Sequence, residues 1–117
     1  MVVDDNEKFF RVIKSKRELE EIVQFGDALV VHSDDEIPGP RRLLSWMTKQ
    51  DGELNIVFRE LGIAVYYVHA RDSDVASRKD FKGLPAIIAY RDGTEVGKNF
   101  GGLAVPLLVD KVREWYR

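Results

Sequence analysis

Three short apolar runs constrain the fold of this 117-residue chain more than any other feature. They cover residues 28–32, 63–68 and 86–90, and a short β-prone run at 9–13 precedes them. None of the three alternates between apolar and polar side chains. Runs of this kind are typical of strands covered on both faces, whereas half-exposed strands alternate with a period of two. The sequence therefore predicts a central sheet with other elements packed on both sides.

Helical patterns separate the strands. Ser15 and Glu18 fit a capping box, in which the two side chains pair with backbone amides at the start of a helix. Gly26 is expected to close this first helix. A second helical pattern covers residues 41–61, where apolar side chains recur on one face. The Asp-Gly step at 51–52 predicts a kink or a brief loop inside it.

The last part of the chain combines a hairpin with helices. A short helix is predicted at about residues 72–79. An Asp-Gly turn at 92–93 then joins strand 86–90 to an antiparallel strand at 95–100. A final helix places three apolar residues on its inner face: Leu108, Val112 and Trp115. Because parallel strands need helical crossovers, the order β-α-β-α-β-α-β-β-α predicts an α/β fold, a central mixed sheet with helices on both faces.

Composition and charge restrict the function. With 44% apolar residues, the chain is expected to form one domain over residues 1–117, with residues 1–8 as a candidate disordered segment. A formal net charge of −2 gives no general attraction to nucleic acid. No apolar run approaches the roughly 18–20 residues that span a bilayer, so no membrane partner is expected. Cysteine is absent, which excludes disulfides, cysteine-ligated metals and thiol chemistry.

Three segments resemble the thioredoxin family, in the same order and at similar separations. Residues 28–42 are similar to the family's strand and its Trp-Cys-Gly-Pro-Cys-Lys motif, with a Gly-Pro pair in register. Residues 83–85 are similar to the Gly-Ile-Pro segment, whose proline is cis in the family. Residues 91–93 and 100–102 are similar to the hairpin turn and the glycine loop beside the active site. The resemblance implies a thioredoxin fold from about Phe9 onward.

The same resemblance implies that the family's redox chemistry is lost. Pro38 stands at the position of the nucleophilic cysteine, and Arg41 at that of the resolving cysteine. His32 stands where the family has a buried carboxylate that assists proton transfer. Thiol–disulfide exchange requires a thiolate, and neither proline nor arginine can supply a nucleophile. We therefore expect no catalytic residue, no metal and no cofactor, and a protein that is not an enzyme.

The recognition surface of the family does not depend on the cysteines. There, the motif loop, the residue before the cis-proline and the glycine loop line a groove for an extended peptide. The resemblance places nine residues in this groove: Ile37, Pro38, Gly39, Pro40, Arg41, Leu84, Pro85, Gly101 and Gly102. His32, at the end of its strand, is a further candidate. We expect a redox-inactive interaction module, an adaptor or chaperone cofactor in the cytoplasm, that docks a protein or an extended peptide.

Two subgroups show further similarity. Phosducin-like proteins, which are cytosolic regulators of chaperonin and G-protein folding, have a similar arrangement of residues over 30–44 and a similar hairpin after Leu84-Pro85. The non-catalytic domains of protein disulfide isomerases have a similar entry helix at 15–20.

Other functions have less support in the sequence. His32 and His69 could share a metal ion with Asp34 or Asp72, but no metal-binding spacing supports this, and hydrogen-bonded, partly buried imidazoles are favoured. A basic cluster within residues 71–82 is largely neutralised by aspartates, which disfavours nucleic-acid binding. A structural subunit of a larger complex and a non-redox ligand-binding domain stay open as alternatives. The sequence does not predict the oligomeric state.

Overall fold

The computed structural model describes residues 10–33, 52–69, 83 and 85–117. In chain order these contain β1 Phe10–Val12, α1 Lys16–Ile22, β2 Asp27–Ser33, α2 Glu53–Leu61, β3 Ala64–His69, β4 Ala86–Arg91, β5 Thr94–Phe100 and α3 Val105–Trp115. Three predictions lie outside the described residues: the disordered segment at 1–8, the first part of the helix at 41–61 and the short helix at 72–79.

The strands of the described residues form one mixed sheet in the order β1-β3-β2-β4-β5. β3 is parallel to both β1 and β2, while β4 is antiparallel to β2 and β5. At the turn from β4 to β5, Asp92 and Gly93 have φ angles of 49° and 84°. Two successive positive φ angles are what a tight hairpin turn requires, and the Asp-Gly pair tolerates them. The predicted α/β fold with a central mixed sheet is confirmed.

Each face of the sheet is covered by helices, as the non-alternating apolar runs predicted. On one face, α2 and α3 pack against β2, β3 and β4, and Phe58 is the largest side chain of this cluster that is fully buried. On the other face, α1 covers Val30 and Val68 with Leu19 and Ile22. Consecutive residues of β2 therefore contribute to different clusters, which is why its run of apolar side chains has no polar interruption.

The capping box at the start of α1 is present in modified form. The Ser15 side chain accepts a hydrogen bond from the Glu18 N–H at 3.1 Å, as predicted. The Glu18 carboxylate accepts from the N–H of Lys14 at 3.4 Å, one residue before the position expected in a capping box. The helix thus starts where the sequence predicted.

The helix ends earlier than expected, because Val23 rather than Gly26 caps it. Gly26 instead lies in the turn that leads into β2. Its N–H donates to the Asp92 carboxylate at 2.7 Å, and its carbonyl accepts from the Asp92 N–H at 2.9 Å. These bonds join the α1–β2 turn to the β4–β5 turn.

The end of α3 is fixed close to these two turns, at the pole of the molecule where β2 begins. Arg91 donates to the Asp27 carboxylate through Nε at 2.9 Å and to the Tyr116 carbonyl through Nη2 at 2.9 Å. The Tyr116 hydroxyl donates to the Ala28 carbonyl at 2.7 Å. Burial raises the pKa of Tyr116 well above its ordinary value of 10.0. This pole lies at the start of β2, opposite the end at which the candidate groove was predicted.

A helix begins directly after Gly52, which is the described residue of the interruption predicted at 51–52. Gly52 has an extended backbone, with φ −71° and ψ 151°, and is the N-cap of α2. Among the described residues, no helix is long and apolar enough to cross a membrane.

Candidate functional site

Backbone pairing brings the ends of three strands together at one end of the sheet. His32 at the end of β2 pairs with Ala86, the first residue of β4, and Ala86 pairs with Phe100, the last residue of β5. The neighbouring residues Pro85 and Gly101 therefore meet. The Gly101 N–H donates to the Pro85 carbonyl at 3.0 Å. Two segments that are far apart in sequence and were both predicted to line the groove are thus in direct contact.

The described groove residues differ in exposure. Pro85 is buried, Gly101 is half-buried and Gly102 is exposed. Gly102 is therefore the one of these three that is most accessible to a partner. The other predicted groove residues lie outside the described residues: Ile37, Pro38, Gly39, Pro40, Arg41 and Leu84.

Within the described part of the chain, the glycine loop is open on one side and closely packed on the other. Among the described residues, and apart from the adjacent ones in the chain, no heavy atom lies within 4 Å of the position that a Cβ would take at Gly101 or Gly102. A Cβ at Gly83, by contrast, would lie 3.4 Å from the Gly101 Cα. Gly101 has a φ of +91°, a region that side chains rarely adopt. Among the residues that the structure describes, the loop therefore presents bare backbone on one side and lies against Gly83 on the other.

A residue that the sequence analysis did not single out completes this geometry. The Asn99 side-chain amide donates through Nδ2 to the Gly101 carbonyl at 3.3 Å. We call Gly83, Pro85, Asn99, Gly101 and Gly102 the proline–glycine junction. The available sequence signal for Asn99 was its position two residues before Gly101, from which a short amide side chain can reach the following backbone.

His32 is more deeply buried than expected. The sequence predicted a partly buried imidazole, but His32 is only 1% exposed. An effect of His32 on binding would therefore be indirect, through the end of β2. The next residue, Ser33, is held by β3, because the Tyr67 hydroxyl donates to the Ser33 carbonyl at 3.1 Å. The side chain of His69 is not among those described.

The chemistry of the junction is that of a backbone surface. Its five residues include no ionisable side chain and no nucleophile. Within residues 10–33, 52–69, 83 and 85–117, no cluster of His, Cys, Asp or Glu could hold a metal ion. The arrangement presents peptide groups and shape, which suit binding.

No known sequence-family profile matches the chain, and neither does any curated protein. Solved structures do match. Thioredoxin from Trypanosoma brucei brucei superimposes with a TM-score of 0.77 at 16% identity, over 92% of this chain and 90% of that one. Thioredoxin from Malassezia sympodialis gives 0.70 at 13% identity, over 92% and 94% of the two chains. Thioredoxin O1 from Arabidopsis thaliana in its oxidised state gives 0.68 at 15% identity, over 92% and 98%.

These identities establish the fold alone. The chain has a thioredoxin fold, as its sequence predicted, and it contains no cysteine. The similarity to phosducin-like proteins and to disulfide isomerase domains stays a prediction.

Proposed function

We propose that this thioredoxin-fold chain is a redox-inactive interaction module, an adaptor or chaperone cofactor that docks an extended segment of a partner protein. The chain has no thiol with which to attack a disulfide, so the reaction of the thioredoxins is not available to it. A binding role is supported instead by the geometry at the end of the sheet where Pro85 and Gly101 meet.

The proline–glycine junction is the observation on which the proposal depends. At Gly101 and Gly102 the chain presents backbone that no other described residue covers within 4 Å of the Cβ positions, apart from the adjacent residues in the chain. A partner's main chain can approach such a surface to van der Waals distance, since neither glycine has a side chain of its own to keep it away. Extended peptides are commonly recognised by main-chain pairing of this kind, with affinity from the backbone and specificity from neighbouring side chains.

An extended polypeptide suits the junction better than a small charged ligand. Small-molecule sites combine a concave cavity with a few converging polar side chains. The one polar side chain of the junction, Asn99, already donates to the Gly101 carbonyl. Because the junction has no charge, binding there should depend weakly on salt, which also separates this proposal from nucleic-acid binding.

A peptide-display selection tests the proposal directly. Random extended peptides are selected on the wild-type protein, and their affinities are measured by calorimetry for wild type and two variants. Gly102→Trp fills the open side of the loop. Gln24→Trp adds the same side chain at an exposed position before β2, at the other pole of the molecule. The thermal melts of both variants are recorded to show that the fold is intact.

We expect Gly102→Trp to weaken peptide binding by about ten-fold or more, because a buried clash costs on the order of 1–3 kcal/mol. Gln24→Trp should leave the affinity within about two-fold of wild type. Peptides that bind Gly102→Trp as tightly as wild type, or a selection that enriches none, would show the proposed site to be wrong.

A further inference from the structure

Two consecutive glycines should make the loop after β5 the most mobile part of the junction. Glycine loses more conformational freedom on ordering than any other residue. Nevertheless, both peptide planes that flank Gly101 are held. The plane before it is fixed by the Gly101 N–H, which donates to the Pro85 carbonyl at 3.0 Å. The plane after it is fixed at its carbonyl, which accepts from Asn99 at 3.3 Å.

The second of these bonds also determines where the next N–H points. In a planar trans peptide, the carbonyl of one residue and the N–H of the next point in opposite directions. Because the Gly101 carbonyl is turned towards Asn99, the Gly102 N–H is turned away from it. Gly102 is exposed, and within the described part of the chain its N–H makes no hydrogen bond.

We infer that Asn99 is a positioning residue that aims the Gly102 N–H at a main-chain carbonyl oxygen of the docked segment. The inference rests on the proposed function and names the first backbone contact in it. A loop that is already ordered before binding avoids part of the entropy cost of association. The Gly102 N–H therefore has its binding orientation in the free protein. The partner supplies a hydrogen-bond acceptor, which every extended polypeptide has at each residue.

Three variants test this role. Asn99→Ala removes the amide, and Asn99→Asp keeps its shape but has no N–H to donate at neutral pH. Lys98→Ala is the matched control, because Lys98 is the preceding residue of the same strand, is exposed and points to the opposite face. For each protein the experiments record the affinity for a selected peptide, the thermal melt and the backbone NMR order parameter of the Gly102 amide.

We expect Asn99→Ala and Asn99→Asp to bind the peptide about five-fold more weakly, the effect of one neutral hydrogen bond, with little change in the melt. Lys98→Ala should bind like wild type. In the free protein, the order parameter of Gly102 should fall from about 0.85 towards 0.6 in both Asn99 variants. In the wild-type complex, the Gly102 amide should become protected from hydrogen exchange.

An unchanged order parameter in Asn99→Ala would overturn the inference, and so would a Gly102 amide that stays unprotected in the complex. Equal affinities of Asn99→Ala and wild type would overturn it as well. If wild type binds no selected peptide at all, the proposed function fails. The order parameter of the free protein then still decides whether Asn99 fixes the loop.

Discussion

Gly101 and Gly102 are neighbours with different backbone requirements, although among the described residues a Cβ at either position would meet no atom within 4 Å outside the adjacent residues. Gly101 has a φ of +91°, whereas the φ of Gly102 lies outside the region that disfavours side chains. Gly101→Ala should therefore lower the free energy of unfolding by about 1–2 kcal/mol, through backbone strain alone. Gly102→Ala should change it by less than about 0.5 kcal/mol. Urea denaturation of the two variants measures both values, and equal losses would contradict the assignment of strain to Gly101.

Gly97 lacks space for a side chain, because another side chain packs directly against its backbone. A Cβ at this position would overlap the indole ring of Trp115, which packs on β5 from the end of α3. Gly97→Ala should displace the indole and destabilise the protein by about 2 kcal/mol, the usual cost of overpacking. The measurement is urea denaturation, combined with the fluorescence of Trp115. Gly102→Ala serves as the control, since a Cβ there meets no atom of the described residues within 4 Å, apart from the adjacent ones. A Gly97 variant as stable as this control would contradict the contact.

At the scale of elements, the position of α3 depends on Tyr116, whose hydroxyl donates to the Ala28 carbonyl at 2.7 Å in a buried environment. Tyr116→Phe leaves that buried carbonyl without its donor, which should cost about 1–2 kcal/mol at neutral pH. The end of α3 would then be held mainly by Arg91, which donates to the Tyr116 and Arg117 carbonyls at 2.9 and 3.2 Å.

The same tyrosine predicts a specific response to alkaline pH. Burial raises the pKa of Tyr116 in the folded protein above its ordinary value of 10.0, so the unfolded chain releases this proton first. Its stabilising contribution is complete below about pH 10 and is lost as the pH rises further, by up to about 1.4 kcal/mol per pH unit. Chemical denaturation of wild type and Tyr116→Phe between about pH 9 and 11.5 measures this. The advantage of wild type should shrink above pH 10, and a constant difference would contradict it.

Elements and pairings were not equally predictable from the sequence. The start of α1 and the β4–β5 turn depend on nearby residues, Ser15 with Glu18 and Asp92 with Gly93, so local patterns predicted them. The role of Gly26 was not predicted as observed, because its hydrogen bonds go to Asp92, 66 residues away. Such a contact is determined by the packing of two turns, which no local window contains.

At the scale of the whole molecule, the pattern of apolar residues predicted the architecture but not the detailed contacts of the site. Non-alternating apolar runs indicated a sheet covered on both faces, and the structure has α1 on one face with α2 and α3 on the other. The resemblance to thioredoxins placed Pro85 and Gly101 in one groove, and the structure adds the hydrogen bond that joins them. The role of Asn99 was not predicted, because an asparagine near the end of a strand is equally compatible with solvent exposure. Only the folded loop brings its side-chain amide to the Gly101 carbonyl.

The absence of cysteine allows a clean test of how far the likeness to thioredoxin extends into the motif loop. The resemblance assigns the two cysteine positions to Pro38 and Arg41, which lie outside the described residues. In the double variant Pro38→Cys with Arg41→Cys, these would be the chain's only thiols, so any intramolecular disulfide must join them. We expect the pair to close under mild oxidation, because the family geometry places the two side chains at a helix start within disulfide range.

Mass spectrometry should detect the loss of two hydrogen atoms when the disulfide forms. The reduced form of the variant should reduce insulin only weakly, since the resemblance assigns His32 to the position of the family's proton-transferring carboxylate. Each single cysteine variant is the control and should form no intramolecular bond. Two thiols that stay reduced in a variant with an unchanged thermal melt would mean that the loop has a different register or shape. In that case Pro38 and Arg41 would not correspond to the cysteines, and the groove would retain only its proline–glycine side.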